Sequence, residues 1–214
     1  MVKIDKTPLP DNTAIKNEDD YRKGTVFDLI VKDCRNKCYI CEDGKPVGIN
    51  VEHRVSHKGD TALKYDWNNL FLSCTHCNNT KGTAFDNIID PVKVDPEKYI
   101  DLAISTTEDL REKVIVRKTV DTEYIDKTVQ LLECVYNGDS TDIKKLECAN
   151  LRNKIMQEIN RFQLYINGYN EENSSGYHTI IAEEISRSSA FAAFKRKIIR
   201  DDPQIASHFT EALL

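Results

Sequence analysis

Two pairs of cysteines with the same internal spacing, Cys38-Tyr-Ile-Cys41 and Cys74-Thr-His-Cys77, constrain this chain more than any other feature. Two residues between cysteines make a tight knuckle whose sulfurs face one ion, and two knuckles complete a tetrahedral structural zinc (Zn2+) site. A pair of disulfides is the competing reading. No charged-then-apolar leader or secretory context is visible, which favours a reducing cytoplasm and metal-bound thiolates. Cys34, Cys134 and Cys148 have no partner at ligand spacing. They read as buried, unreactive thiols, with Cys34 a substitute ligand at most.

Between the knuckles, Val51-Glu52-His53 ends a short apolar strand, and Leu70-Phe-Leu72 is a second strand leading into the second knuckle. Cys77-Asn-Asn-Thr-Lys81 then forms about one helical turn. The local plan is strand, loop, strand, helix, with zinc clamping its ends. Four thiolates fill a zinc tetrahedron, so Glu52, His53 and Asn78 remain for other chemistry.

The ordered set Glu52-His53, Asn69-Leu70 and Cys74-x-x-Cys77-Asn78-x-x-Lys81 resembles the HNH nucleases, in the His-Asn-Asn form of their ββα-metal motif. The resemblance implies phosphodiester cleavage. Neutral imidazole is the side chain best matched to removing a proton from water near pH 7, so His53 is the candidate general base, with His57 as the alternative. Glu52 and Asn78 offer hard oxygen donors for a catalytic Mg2+ or Mn2+, and Asn79 competes with Asn78. By resemblance, Asn69 orients the loop that carries His53, with Asn68 its competitor. Lys81 and Arg54 are candidate phosphate contacts. His76 reads as a spacer within its knuckle, and Glu52 as a surface salt bridge if it binds no metal.

The 214 residues carry a formal charge of −5. That balance is awkward for a nuclease acting alone, because affinity for nucleic acid comes from Lys and Arg displacing counterions along the backbone. A partner is expected to supply much of the grip, unless the basic tail at Arg187, Lys195, Arg196, Lys197 and Arg200 does so. No apolar run approaches the roughly 18 residues that span a membrane, so no membrane partner is expected.

The expected class is α+β: a zinc-stapled HNH core, a small β-hairpin and a C-terminal helical lobe. Residues 1–18 read as an extended segment, frayed by default, residues 19–97 as the nuclease domain, and 98–214 as hairpin plus lobe. A helix is predicted over 19–33. Strand-rich runs at 99–105 and 113–119 predict the hairpin. Helices are predicted over 122–136, closed by Asn137-Gly138, then 142–167, then 180–200, the last with either a solvated or a nucleic-acid-binding face.

The motif flanks add a wider resemblance. Asp66-Trp-Asn-Asn-Leu70, Ile88-Ile-Asp-Pro91 and the tail Ala190-Phe-Ala-Ala-Phe-Lys-Arg196 join it in resembling the HNH subunits of Septu-type antiphage defence systems, also found beside some retrons. That resemblance implies an ABC- or SMC-like ATPase partner and nucleic acid as substrate, DNA ahead of RNA or tRNA. The alternative function is a zinc-stapled adaptor that binds nucleic acid or protein without cutting.

Overall fold

The fold is described from a computed structural model covering residues 1–108, 111–122, 124–172 and 175–214. In chain order the first half holds α1 (Glu18–Arg22), α2 (Gly24–Asp33), β1 (Ile49–His53), α3 (Thr61–Lys64), β2 (Leu70–Cys74) and α4 (Thr75–Lys81). β1 and β2 pair antiparallel, with Val51 opposite Leu72 and His53 opposite Leu70. Every residue of β2 is buried. On β1 the alternation of a strand turns Glu52 inward and leaves His53 at the edge. The predicted helix over 19–33 is two helices, because Lys23 is extended and Gly24 takes φ +66°, a left-handed value that interrupts a right-handed helix.

The amino-terminal segment is not frayed. Met1, Val2 and Ile4 are buried, the Met1 ammonium lies 2.7 Å from the Glu42 carboxylate, and the Ile4 amide donates to the Pro91 carbonyl. Lys6 reaches the Leu70 carbonyl at 2.5 Å and lies 3.8 Å from the centre of the Trp67 ring. Burial draws its pKa down to about 8. The segment crosses the end of β2 and ties the first knuckle to residues 66–91.

The second half begins with the hairpin β3 (Ile100–Thr106) and β4 (Glu112–Lys118), followed by α5 (Ile125–Asn137) and the long α6 (Asp142–Glu172). Part of the predicted polar hairpin turn, residues 109–110, lies outside the described residues. Gly138 does not close α5 through a left-handed cap, since its φ is −58°. Glycine is needed there for space, because a Cβ would meet the Cys134 carbonyl oxygen at 2.5 Å. The Asn137 amide instead exchanges hydrogen bonds of 2.7 and 3.1 Å with the Val114 backbone, tying α5 to the hairpin.

The predicted helix over 180–200 is also two, α7 (Ser175–Glu184) and α8 (Ala192–Asp201), followed by α9 (Pro203–His208) and α10 (Thr210–Leu213). Between α7 and α8 the chain turns through Phe191 at φ +52°, which buries that ring and lets its amide donate to the Glu42 carbonyl. The main apolar cluster therefore runs from Met1 to Phe194 and joins the first half to the hairpin, α5 and the start of α8. A second cluster of Phe162, Ile181, Ile185, Ile199 and Phe209 holds the helical lobe.

The basic tail is neither a solvated face nor a free cationic one. Lys195 and Arg196 are buried, Lys195 against Glu158 and Glu184, and Arg196 in a forked pair with Glu97 at 2.8 and 2.9 Å. Arg187 pairs with Asp95, Lys197 with Asp101 and Asp201, and Arg200 with Glu97. A sequence window shows the cations and not the distant acids that meet them.

Candidate active site and metal centre

Cys38, Cys41, Cys74 and Cys77 converge in the interior with all four sulfurs within 4.8 Å of one another. A zinc–sulfur bond of about 2.3 Å gives a tetrahedral sulfur–sulfur edge of about 3.8 Å, and Cys41 and Cys74 stand 3.9 Å apart. The donor set and its dimensions fit a structural zinc. α4 begins at this cluster, where the Cys74 sulfur accepts the Cys77 amide. His76 is turned away, with one ring nitrogen 3.0 Å from Glu147 and the other on the Val135 carbonyl. Cys34 also lies outside the cluster. Its sulfur accepts the Leu72 amide, and burial pushes the thiol up to about 11, so it stays protonated. Cys134 is exposed, contrary to its reading as a buried thiol.

Behind β1 lies a buried polar triad. Tyr39, within the first knuckle, donates its hydroxyl to one Glu52 oxygen at 2.6 Å, and Lys81 from α4 lies 2.8 Å from the other. Lys81 also donates to the carbonyls of His53 and Gly82. Its side chain is 0% exposed, so it cannot meet a phosphate from solvent. Its ammonium neutralises a buried carboxylate and anchors the strand end that carries His53, which corrects the phosphate-contact expectation. Burial raises the pKa of Glu52 despite the opposing pull of Lys81 and Tyr39. The Arg54 guanidinium meets the Ile88 carbonyl and the Asp90 carboxylate.

Beside this triad an open cavity of about 710 Å³ is bordered by Glu52, His53, Ser56, His57, Lys58, Asn78, Asn79 and Gly82, among others. The His53 ring is half-buried, edge-on to Tyr21 at 5.8 Å and to His57 at 5.0 Å. Its Nε2 lies 2.9 Å from the Lys64 carbonyl oxygen. A carbonyl only accepts, so Nε2 carries the proton and Nδ1 keeps a free lone pair. Burial, with the nearby Lys64 and Lys81 charges and His57, holds the ring below the usual histidine pKa, and the bond to the Lys64 carbonyl only partly opposes this.

The loop after His53 is held by residues farther along the chain. Asn69 is buried, accepts the Val55 amide at 2.8 Å and donates to the carbonyls of Val55 and Leu63. Asn68 is exposed. Asp86 accepts the Ser56 amide and pairs with Lys58. Tyr39, Lys64 and Asp86 were not legible as site residues, because their contacts use a knuckle spacer, a main-chain oxygen and a loop acid outside the motif. Asn78 and Asn79 both border the cavity, as do Glu52 and His53, whereas Arg54 and Lys81 are not among its lining residues.

Comparison with known proteins supports the same segment. Residues 38–84 match the family model described as HNH endonuclease. Septu protein PtuB of Bacillus thuringiensis is 32% identical over an alignment of 124 residues, covering 48% of this chain and 48% of that protein. The chain thus spans about half the length of the curated relative it matches. No solved structure matches. Residues 38–84 therefore carry an HNH endonuclease family domain, in a chain similar to PtuB over about half of each sequence.

Proposed function

We propose that this chain is a metal-dependent endonuclease that hydrolyses phosphodiester bonds of nucleic acid, with DNA favoured over RNA or tRNA, as the effector of an antiphage complex containing an ABC- or SMC-like ATPase. The observation that carries the reading is the cavity in which His53, its Nε2–H held by the Lys64 carbonyl, stands beside Glu52 and Asn78. In this reading Nδ1 of His53 takes the proton of the attacking water, which a neutral imidazole does well near pH 7. Mg2+ or Mn2+ held by Asn78 and by the remaining lone pairs of Glu52, whose oxygens also meet Tyr39 and Lys81, would neutralise charge on the phosphate and the leaving oxygen. One carboxylate and one amide leave most coordination positions to water and phosphate, as suits Mg2+. Asn69 keeps the His53 loop in place through the Val55 backbone.

The ATPase partner is inferred from likeness to Septu-type proteins and from charge. With a net charge of −5 and every cation of the basic tail ion-paired, that tail offers little free positive charge with which to grip a polyanion.

The test is cleavage of plasmid DNA and total tRNA with Mg2+ or Mn2+ by wild type and His53→Ala, alone and with any ATPase encoded beside it. Cleavage by wild type only is expected, with the preferred polymer naming the substrate and a need for the ATPase naming the regulator. Cutting by His53→Ala at the wild-type rate would overturn the assignment of the base. No cutting in any combination would favour the non-catalytic adaptor.

A further inference from the structure

The cavity holds a second imidazole whose geometry is the reverse of the first. His57 borders the same cavity as His53, with the two ring centres 5.0 Å apart and the planes inclined at 63°. On His53, Nε2 is the donor to a carbonyl and Nδ1 is left as acceptor. On His57, Nδ1 accepts the Gly59 amide at 3.2 Å. A backbone amide only donates, so the Nδ1 lone pair of His57 is occupied and, in the neutral ring, the proton sits on Nε2. His57 is thereby a poor alternative base and a preformed donor. The turn that holds it runs through Lys58 at φ +45° and Gly59 at φ +91°, and Asp86 ties Ser56 and Lys58 on either side.

We propose that His57 is a catalytic residue of the same reaction, one that donates its Nε2–H to a non-bridging oxygen of the scissile phosphate. This rests on the nuclease reading above. In the step, the water proton passes to His53 Nδ1 as the new P–O bond forms, and the old P–O bond breaks with its electron pair leaving on the departing oxygen. His57 keeps its proton throughout, and the departing oxygen is protonated from solvent. A donor aimed where charge develops stabilises the transition state more than the ground state, so its loss lowers kcat rather than metal affinity.

The experiment compares His57→Ala, His57→Gln and His53→Ala with wild type in the zinc-loaded full chain, with whatever partner wild-type cleavage requires. Zinc content and thermal melting serve as controls for folding. His57→Ala is expected to lose roughly ten- to a hundredfold in kcat, with Mn2+ binding by calorimetry unchanged. His57→Gln, whose amide N–H reaches about where Nε2–H was, should recover part of the loss. The same loss should appear on a phosphodiester with an activated aryl leaving group, because the contact is to a non-bridging oxygen. His57→Ala at the wild-type rate would overturn the proposal, and so would Gln being no better than Ala. Loss confined to the unactivated substrate would replace it with proton transfer to the leaving oxygen. If His53→Ala also cuts normally, the assignment of the active site to this cavity has failed; if only His53→Ala is dead, the failure belongs to His57 alone.

Discussion

The four-cysteine half and the helical lobe solve the same problem by different means. Between Cys38 and Lys81 the regular elements are at most seven residues long, and they are joined both by the main apolar cluster and by four buried sulfurs fit for one ion. The lobe has a helix of 31 residues, a separate apolar cluster and a set of buried ion pairs centred on Lys195 and Arg196. In the first region four thiols placed to share one ion add a cross-link to the larger apolar cluster. In the second, core volume is sufficient, and the charges are what specify how α8 seats against Glu97 and α6. The cavity bordered by His53 and Asn78 belongs to the first region.

Removing the zinc should break this comparison most severely. Structural zinc is worth on the order of 10 kcal/mol in small domains, so a strong chelator should abolish amide protection across β1, β2 and α4. Hydrogen exchange read by mass spectrometry should still find protection along α6. Loss of both together would mean that the shared cluster from Met1 to Phe194 makes the halves one cooperative unit.

Next in size is Arg196→Met, which leaves the buried Glu97 only its less buried partner Arg200 and takes a donor from the carbonyls of Ile185, Ala212 and Leu213. Breaking a buried pair from one side costs about 3–5 kcal/mol, to be read from urea unfolding. Arg196→Met combined with Glu97→Leu should recover part of that loss if the penalty is the stranded charge.

Asn69→Ala sharpens the contrast, since it removes hydrogen bonds to Val55 and Leu63 without touching the thiols. The expected cost is about 1–3 kcal/mol, with zinc content unchanged and a larger fall in cleavage than in stability. The smallest effect is expected for Tyr39→Phe, which keeps the ring stacked on Phe71 at 4.8 Å but withdraws one donor from Glu52. About 1 kcal/mol of stability should be lost, and Mn2+ titration should report a changed site at Glu52. An unchanged titration would separate the zinc knuckle from the cavity.

Much of the site could be read from spacing because its parts are local. Two residues between cysteines, an acid beside an imidazole, and strand alternation that sends Glu52 inward and His53 to the edge are all properties of a few consecutive residues. The hairpin and the long α6 were equally legible from runs of suitable residues. Helix breaks were not: 19–33 and 180–200 are interrupted by left-handed residues at Gly24 and Phe191, and for Phe191 the cause lies at Glu42, far away in the chain.

The fate of the charges divides the two kinds of knowledge. Composition establishes how many cations there are, and the motif establishes that Lys81 follows the second knuckle by four residues. Whether a cation is free for a phosphate depends on which acid faces it across the fold. Lys81 meets Glu52 from another element, Arg54 meets Asp90, and Arg196 meets Glu97 about a hundred residues away. Ligand spacing and strand alternation are set by covalent geometry along the chain, so residues announce them in order. Charge pairing is set by desolvation: a buried ion must find its opposite in space, and that neighbour is decided by packing.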